Sequence, residues 1–125
     1  MKYLLDTHSL LWAVFEPDKL STKAQKIISD QNNIICVSLI SLWEISIKQN
    51  IGRLDIPKGF FEVVREGGFE MLSLTIPQIQ QYRTLPLHHR DPFDRILVVQ
   101  ARQQKLILIT RDSEISKYDV KIVKA

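Results

Sequence analysis

The sequence predicts an α/β protein, a three-layer α/β/α sandwich whose central, mainly parallel sheet has about five strands. Short β-rich runs alternate along the chain with segments of helical spacing. Those runs are continuous in Val, Ile and Leu rather than alternating apolar with polar, as strands covered on both faces are. The 125 residues carry no Pro-, Gly- or Ser-rich linker, so one domain, 1–125, is expected, burying roughly two-thirds of the surface its unfolded chain exposes.

Taken in order, Lys2 to Leu5 is a short strand ending at Asp6, and Asp6 or Thr7 can cap a helix in which Leu10, Leu11, Val14 and Phe15 recur at helical spacing. Pro17 stops that helix, and Ser21 can cap a second with the apolar stripe Ala24, Ile27 and Ile28. Ile34 to Val37 is the second strand. After Ser38, the residues Leu39, Trp43, Ile47 and Ile51 recur every four positions, marking one apolar face of a helix that Gly52 ends, with Trp43 in the core and Glu44 and Lys48 on another face. A helix from Phe60 to Glu66, ended by Gly67 and Gly68, and a third strand from Phe69 to Leu74 follow. Pro77 opens a helix containing Ile79 and Tyr82, and Thr84 to Arg90 is a loop holding Pro86, His88 and His89. The clearest helix comes next, with Asp91 as N-cap, Pro92 at its first position and a buried run Phe93, Ile96, Leu97, Val98 and Val99, reaching about Gln104. Leu106 to Ile109 is the fourth strand, Asp112 opens a short helix, and Val120 to Val123 is the fifth strand.

Composition narrows the function classes. No apolar run approaches the ~18 residues of a membrane span, and Asp6 and His8 interrupt any signal-peptide apolar stretch, so an intracellular, cytoplasmic protein without membrane association is expected. Cys36 is the only cysteine, which excludes an internal disulfide; within Ile34 to Val37 it reads as a small buried hydrophobe. Lys and Arg outnumber Asp and Glu by 17 to 14, a net charge of +3 that mildly favours polyanionic partners. That bias strengthens if the acids gather at one place, because the remaining surface is then more basic.

They are placed to do so. In open parallel sheets ligands bind outside the carboxyl ends of the strands. Asp6 ends the first strand, Glu44 lies in the helix after the second, Asp94 starts the helix leading to the fourth, and Asp112 follows the fourth. Such a cluster repels itself unless a cation neutralises it, and Mg²⁺ or Mn²⁺ suits oxygen ligands, water and a substrate phosphate. Scarce Cys and unspaced His argue against zinc. Each acid also has a plainer role: Asp6 and Asp112 as helix caps, Asp94 as a charge at a positive helix end, Glu44 as an ion-pair partner of Lys48 four residues on. Asp91 is read as a helix cap beside the site. Arg95, Arg111 and Lys48 adjoin these acids and are candidates for contact with substrate phosphates or for charge compensation. Thr110, Thr7 and Ser38 stand at strand ends, where a hydroxyl can hold an acid or a ligand water. His8, His88 and His89 have no spaced partner and read as surface or loop residues; Trp12, off the main stripe, suits a dimer or partner surface.

Four segments, LLDTHSLLW at 4–12, SLISLWEISIKQNIGRL at 38–54, HHRDPFDRILVVQA at 88–101 and LILITRDSEISKY at 106–118, resemble in order and spacing the four blocks of PIN-domain proteins, especially VapC-type toxins. The resemblance covers essentially the whole chain. It implies a metal-dependent endoribonuclease in which Asp6, Glu44 and Asp94 match the acidic core and Asp112 the fourth acid. It also implies a homodimer and a small VapB-like antitoxin. Two other readings fit less well. A phospho-acceptor receiver domain wants adjacent acids after the first strand and an acceptor Asp after a central one, but Asp6 stands alone and no Asp follows Ile34 to Val37 before Asp55. A non-catalytic PIN-like scaffold would have a degraded acidic set, and here all four acids are present.

Overall fold

A computed structural model describes all 125 residues. The strands are β1 (Lys2–Leu5), β2 (Ile34–Ser38), β3 (Glu70–Leu72), β4 (Ile107–Thr110) and β5 (Ile122–Lys124). The helices are α1 (Thr7–Phe15), α2 (Thr22–Ser29), α3 (Leu39–Asn50), α4 (Phe60–Glu66), α5 (Ile76–Tyr82) and α6 (Pro92–Gln104). The five strands form one parallel sheet in the order β3-β2-β1-β4-β5. Side chains alternate across it. Leu4, Cys36 and Leu108 pack with α6 residues such as Leu97 and Val98, whereas Leu5, Val37 and Ile109 pack with Leu10, Ala24, Phe60 and Val64 of α1, α2 and α4. The predicted three-layer sandwich is the observed one.

Local signals account for most boundaries. Asp6, Ser21 and Asp91 cap α1, α2 and α6 as expected, each accepting from a backbone N–H two or three residues on. Thr75 and Gln78 form a reciprocal capping box at α5. The differences follow from pairing. Strand β3 pairs only with Cys36–Ser38 of β2 and is an edge of three residues rather than six. Strands β4 and β5 run one residue further than expected because Thr110 pairs with Lys124. Asp112 does not open a helix; its carboxylate accepts the Glu114 N–H to make a turn, and a 3₁₀ turn follows at Ile115–Lys117.

Helix α3 departs most from expectation. Its buried residues are Ile40, Ser41, Glu44 and Ile45, while Leu39 and Trp43 are exposed, Trp43 to 59%. The every-fourth apolar stripe therefore faces outward, and Trp43 is not a core residue. Ile40 joins one core and Ile45 the other, so α3 lies over the end of the sheet and needs the Glu44 side inward. No helix is long and apolar enough to cross a membrane. Cys36 is fully buried, and burial together with neighbouring Glu70 pushes its thiol up to about 12, which leaves it inert.

Candidate functional site

The chain runs from β1 outward to β3, then returns to the other side of β1 for β4 and β5. This reversal opens a crevice at the carboxyl ends of β1 and β4, where such sheets hold ligands. The cavity there measures about 460 Å³, and its lining includes Asp6, Glu44, Asp91, Asp94 and Asp112. All four predicted acids thus reach one crevice, together with the helix-capping Asp91.

Two of them are buried and held rigidly. Asp6 follows directly on β1, its Oδ1 accepting the Ser9 N–H at 2.8 Å and its Oδ2 accepting the Thr110 hydroxyl at 2.5 Å. The register that sets Leu5 beside Ile109 places Thr110 opposite Asp6. Glu44, 3% exposed, is satisfied on both oxygens, at 2.6 Å by the Thr7 hydroxyl and at 2.7 Å by the Lys48 ammonium one turn along α3. Thr7 and Thr110 therefore orient acids, whereas Ser38 only caps α3 through the Ile40 N–H.

The other two are joined by an imidazole. His89 Nε2 lies 2.8 Å from Asp112 Oδ2 and 3.0 Å from Asp94 Oδ2. Asp94 sits in the first turn of α6, and Asp91 caps that turn by accepting the N–H groups of Phe93 and Asp94. Asp112 is fixed by the Glu114 N–H on Oδ1 and by its own N–H donated to Thr110.

Crowding leaves a clear electrostatic signature. Burial, then the charges of Asp91, Asp6 and Glu44, push the Asp94 carboxyl up to about 7, against a partial pull from His89. Asp6 is raised as well, chiefly by burial and despite its hydrogen bonds from Ser9 and Thr110. Burial disfavours a charged His89, but its hydrogen bond to Asp112 and the fields of Asp112, Asp94 and Asp91 outweigh this and raise it. Lys48 is raised by its bond to Glu44. The crevice thus concentrates negative charge on oxygen donors that a hard divalent cation would relieve, and the oxygen-rich, thiol-free donor set fits one. The ligand atoms of His89, Asp94 and Asp112 lie within 4.8 Å of one another.

The remaining candidates divide. Lys48 and Arg111 line the crevice, and Arg111 is held there by the Ala125 carbonyl with its guanidinium 4.5 Å over the Trp12 ring. Arg95 does not. It points away, donates to the Leu85 carbonyl at 3.0 Å and stacks 4.7 Å from the Tyr82 ring, because its place on α6 faces α5. His88 is an exposed loop residue packed edge-on to Tyr118, and His8 lies on the rim, stacked with Trp12. His89 is not a surface residue. Its Asp112 partner is 23 positions away, and no spacing rule links a lone loop histidine to it. Arg53 stands on the crevice wall after α3, and the sequence carries no signal for it beyond a basic residue near a turn.

A family model described as "PIN domain" matches residues 3–121. No curated protein sequence matches the chain. Among solved structures, the fold is similar to VapBC2 from Rickettsia felis bound to a DNA fragment from their promoter, with a TM-score of 0.73, 14% identity and 98% of each chain covered. It is also similar to DNA-bound VapBC from Salmonella typhimurium, with a TM-score of 0.70, 18% identity, and 98% of this chain and 97% of that one covered. FitAcB from Neisseria gonorrhoeae follows, with a TM-score of 0.65, 19% identity, and 99% and 97% covered. With the family model spanning nearly its full length, the acids at the ends of β1 and β4 and at the start of α6 lie in a domain of known type: the chain belongs to the PIN domain family.

Proposed function

We propose that this PIN domain is a Mg²⁺- or Mn²⁺-dependent endoribonuclease that hydrolyses RNA phosphodiester bonds, acting as the toxin of a toxin–antitoxin pair. The observation that carries the reading is the convergence of Asp6, Glu44, Asp94 and Asp112 on one crevice, crowded enough that burial and the neighbouring carboxylates raise the Asp94 carboxyl. A structural surface has no use for acids drawn from four separate segments into one crevice; a cation site does. Asp6, Glu44 and Asp94 would hold the ion, directly or through water, with Asp112 beside them. When bound, it supplies Lewis acidity toward a phosphodiester and lowers the pKa of an attacking water.

The chain's own side chains do the rest. Thr110 and Thr7 fix the rotamers of Asp6 and Glu44, so the donors need little rearrangement. Lys48, Arg111 and Arg53 ring the crevice and would meet RNA phosphates, while the basic balance of the chain outside the crevice favours approach of a polyanion. Arg95 serves the loop before α6 instead. The similarity to VapBC and FitAcB structures supports a small VapB-like antitoxin as partner; the homodimer and the cytoplasmic setting proposed with it rest on the family resemblance alone.

Cleavage of single-stranded RNA by Asp94→Asn and Asp6→Asn tests the assignment. Both variants should fold normally by circular dichroism and lose Mg²⁺- or Mn²⁺-dependent cleavage by more than the ~10–100-fold that removal of an outer-shell partner costs. Full activity of both purified variants would overturn the assigned site. RNA binding without turnover by the unaltered protein, across Mg²⁺ and Mn²⁺ concentrations, would replace the nuclease with a scaffold.

A further inference from the structure

We infer that His89 serves this site as a hydrogen-bond donor that sets the separation of Asp94 and Asp112, not as a metal ligand, and that Tyr118 holds the loop that aims it; the inference rests on the metal-site reading above. By distance alone, His89, Asp94 and Asp112 suit a mixed nitrogen and oxygen metal triad. The other ring nitrogen decides against it. His89 Nδ1 accepts the backbone N–H of Asp91 at 3.2 Å, which commits the Nδ1 lone pair and leaves the neutral ring's proton on Nε2. A histidine that binds metal through Nε2 needs the reverse, a free Nε2 lone pair and an Nδ1–H donated to an acceptor. Here Nδ1 faces a donor. The Nε2–H is therefore shared between Asp112 at 2.8 Å and Asp94 at 3.0 Å.

The aim of the ring is fixed from outside the crevice. Tyr118 is buried, and its hydroxyl oxygen accepts the N–H of His88 at 3.1 Å and of His89 at 3.0 Å, using both lone pairs. Its ring packs edge-on against His88. Arg95 secures the same loop through the Leu85 carbonyl. Neither Tyr118 nor Arg95 lines the crevice. The two carboxylates arrive from unrelated elements, the first turn of α6 and the end of β4, and repel each other. A donor between them holds them at a separation that a cation can use.

Three readouts test this. Mn²⁺ affinity, measured by calorimetry, should fall about 10–100-fold in His89→Leu, and His89→Gln, whose carboxamide N–H can replace Nε2–H, should recover most of it. Tyr118→Phe, which keeps the ring and removes the acceptor, should weaken Mn²⁺ by a smaller factor. Electron spin echo spectra of the Mn²⁺-loaded protein should lack a directly coordinated imidazole nitrogen, and two-bond ¹H–¹⁵N spectra of the metal-free protein at pH 9 should place the His89 proton on Nε2. A coordinated ¹⁴N signal, a proton on Nδ1, or unchanged affinity in His89→Leu each overturns the inference while leaving the metal site standing. Failure of the unaltered protein to bind Mn²⁺ or Mg²⁺ removes both.

Discussion

Helices α6 and α3 each deliver one carboxylate to the crevice, and they deliver it in different electrical states. Asp94 comes from the first turn of α6, where the helix end favours negative charge, yet its carboxyl is pushed up to about 7. Burial and three neighbouring carboxylates therefore outweigh the helix end. Glu44 comes from the middle of α3, where no helix end helps it, but Lys48 one turn away and Thr7 from α1 satisfy both of its oxygens. One acid brings its counter-charge on its own helix; the other has only the His89 Nε2–H, shared with Asp112, against three carboxylates. Both acids line the crevice, but the α6 acid is where an added cation changes most.

The largest effect should come from disturbing the surface that lets α3 bury Glu44. Ile45, fully buried beside Glu44, packs in the core with Leu5, Val37 and Phe60. Ile45→Ala should cost about 2–5 kcal/mol in denaturant unfolding, since it leaves a cavity under the sheet end. A loss under 1 kcal/mol would mean that α3 is not anchored by its Glu44 side, and the difference between the helices would lose its basis.

The next effect reads the charge state of α6 directly. In metal-free protein Asp94 keeps its proton to about pH 7, against an ordinary value of 3.8 expected of the unfolded chain. Between those values the folded state binds more protons than the unfolded state, so stability is greatest at low pH and falls as pH rises through 7. From pH 5.5 to 7.5 this should remove up to about 2 kcal/mol, measured by urea unfolding in chelator. Asp94→Asn should flatten the slope. A slope that persists undiminished in that variant would move the electrostatic strain to another group.

The same two helices show what the sequence made legible. Helix α6 was readable to the residue because its signals are local: an Asp-Pro start, a buried run and a last turn at Gln104. For α3 the ends were readable from Ser38 and Gly52, but the buried face was not, because periodicity reports where apolar residues lie and not which side meets the core. Glu44 entered the site through its place in the helix after the second strand, with the block shared with PIN-domain proteins in support, and not through the apolar pattern of α3 itself. His89 escaped because its role depends on Asp112, 23 positions on, and on a tyrosine hydroxyl further still. Its one local clue is the Asp91 N–H two residues later. Arg95 and Arg111 look alike beside their acids, and only the direction of each element sends one to Tyr82 and the other to the crevice.

The smallest effect should come from the outward face of α3. Trp43 is 59% exposed and touches Phe93 edge-on at 5.5 Å, so Trp43→Ser forfeits one partial aromatic contact and little burial. The expected cost is under about 1 kcal/mol for the isolated chain, several-fold less than that of Ile45→Ala two positions away. Dilution sharpens the comparison. Leu39, Trp43 and Ile51 form an exposed apolar stripe, and if a second chain covers it the cost of Trp43→Ser must grow with protein concentration. A cost above 2 kcal/mol that does not change on dilution would instead place Trp43 inside the monomer's own core, reversing the two faces of α3 and removing the geometry that carries Glu44 inward.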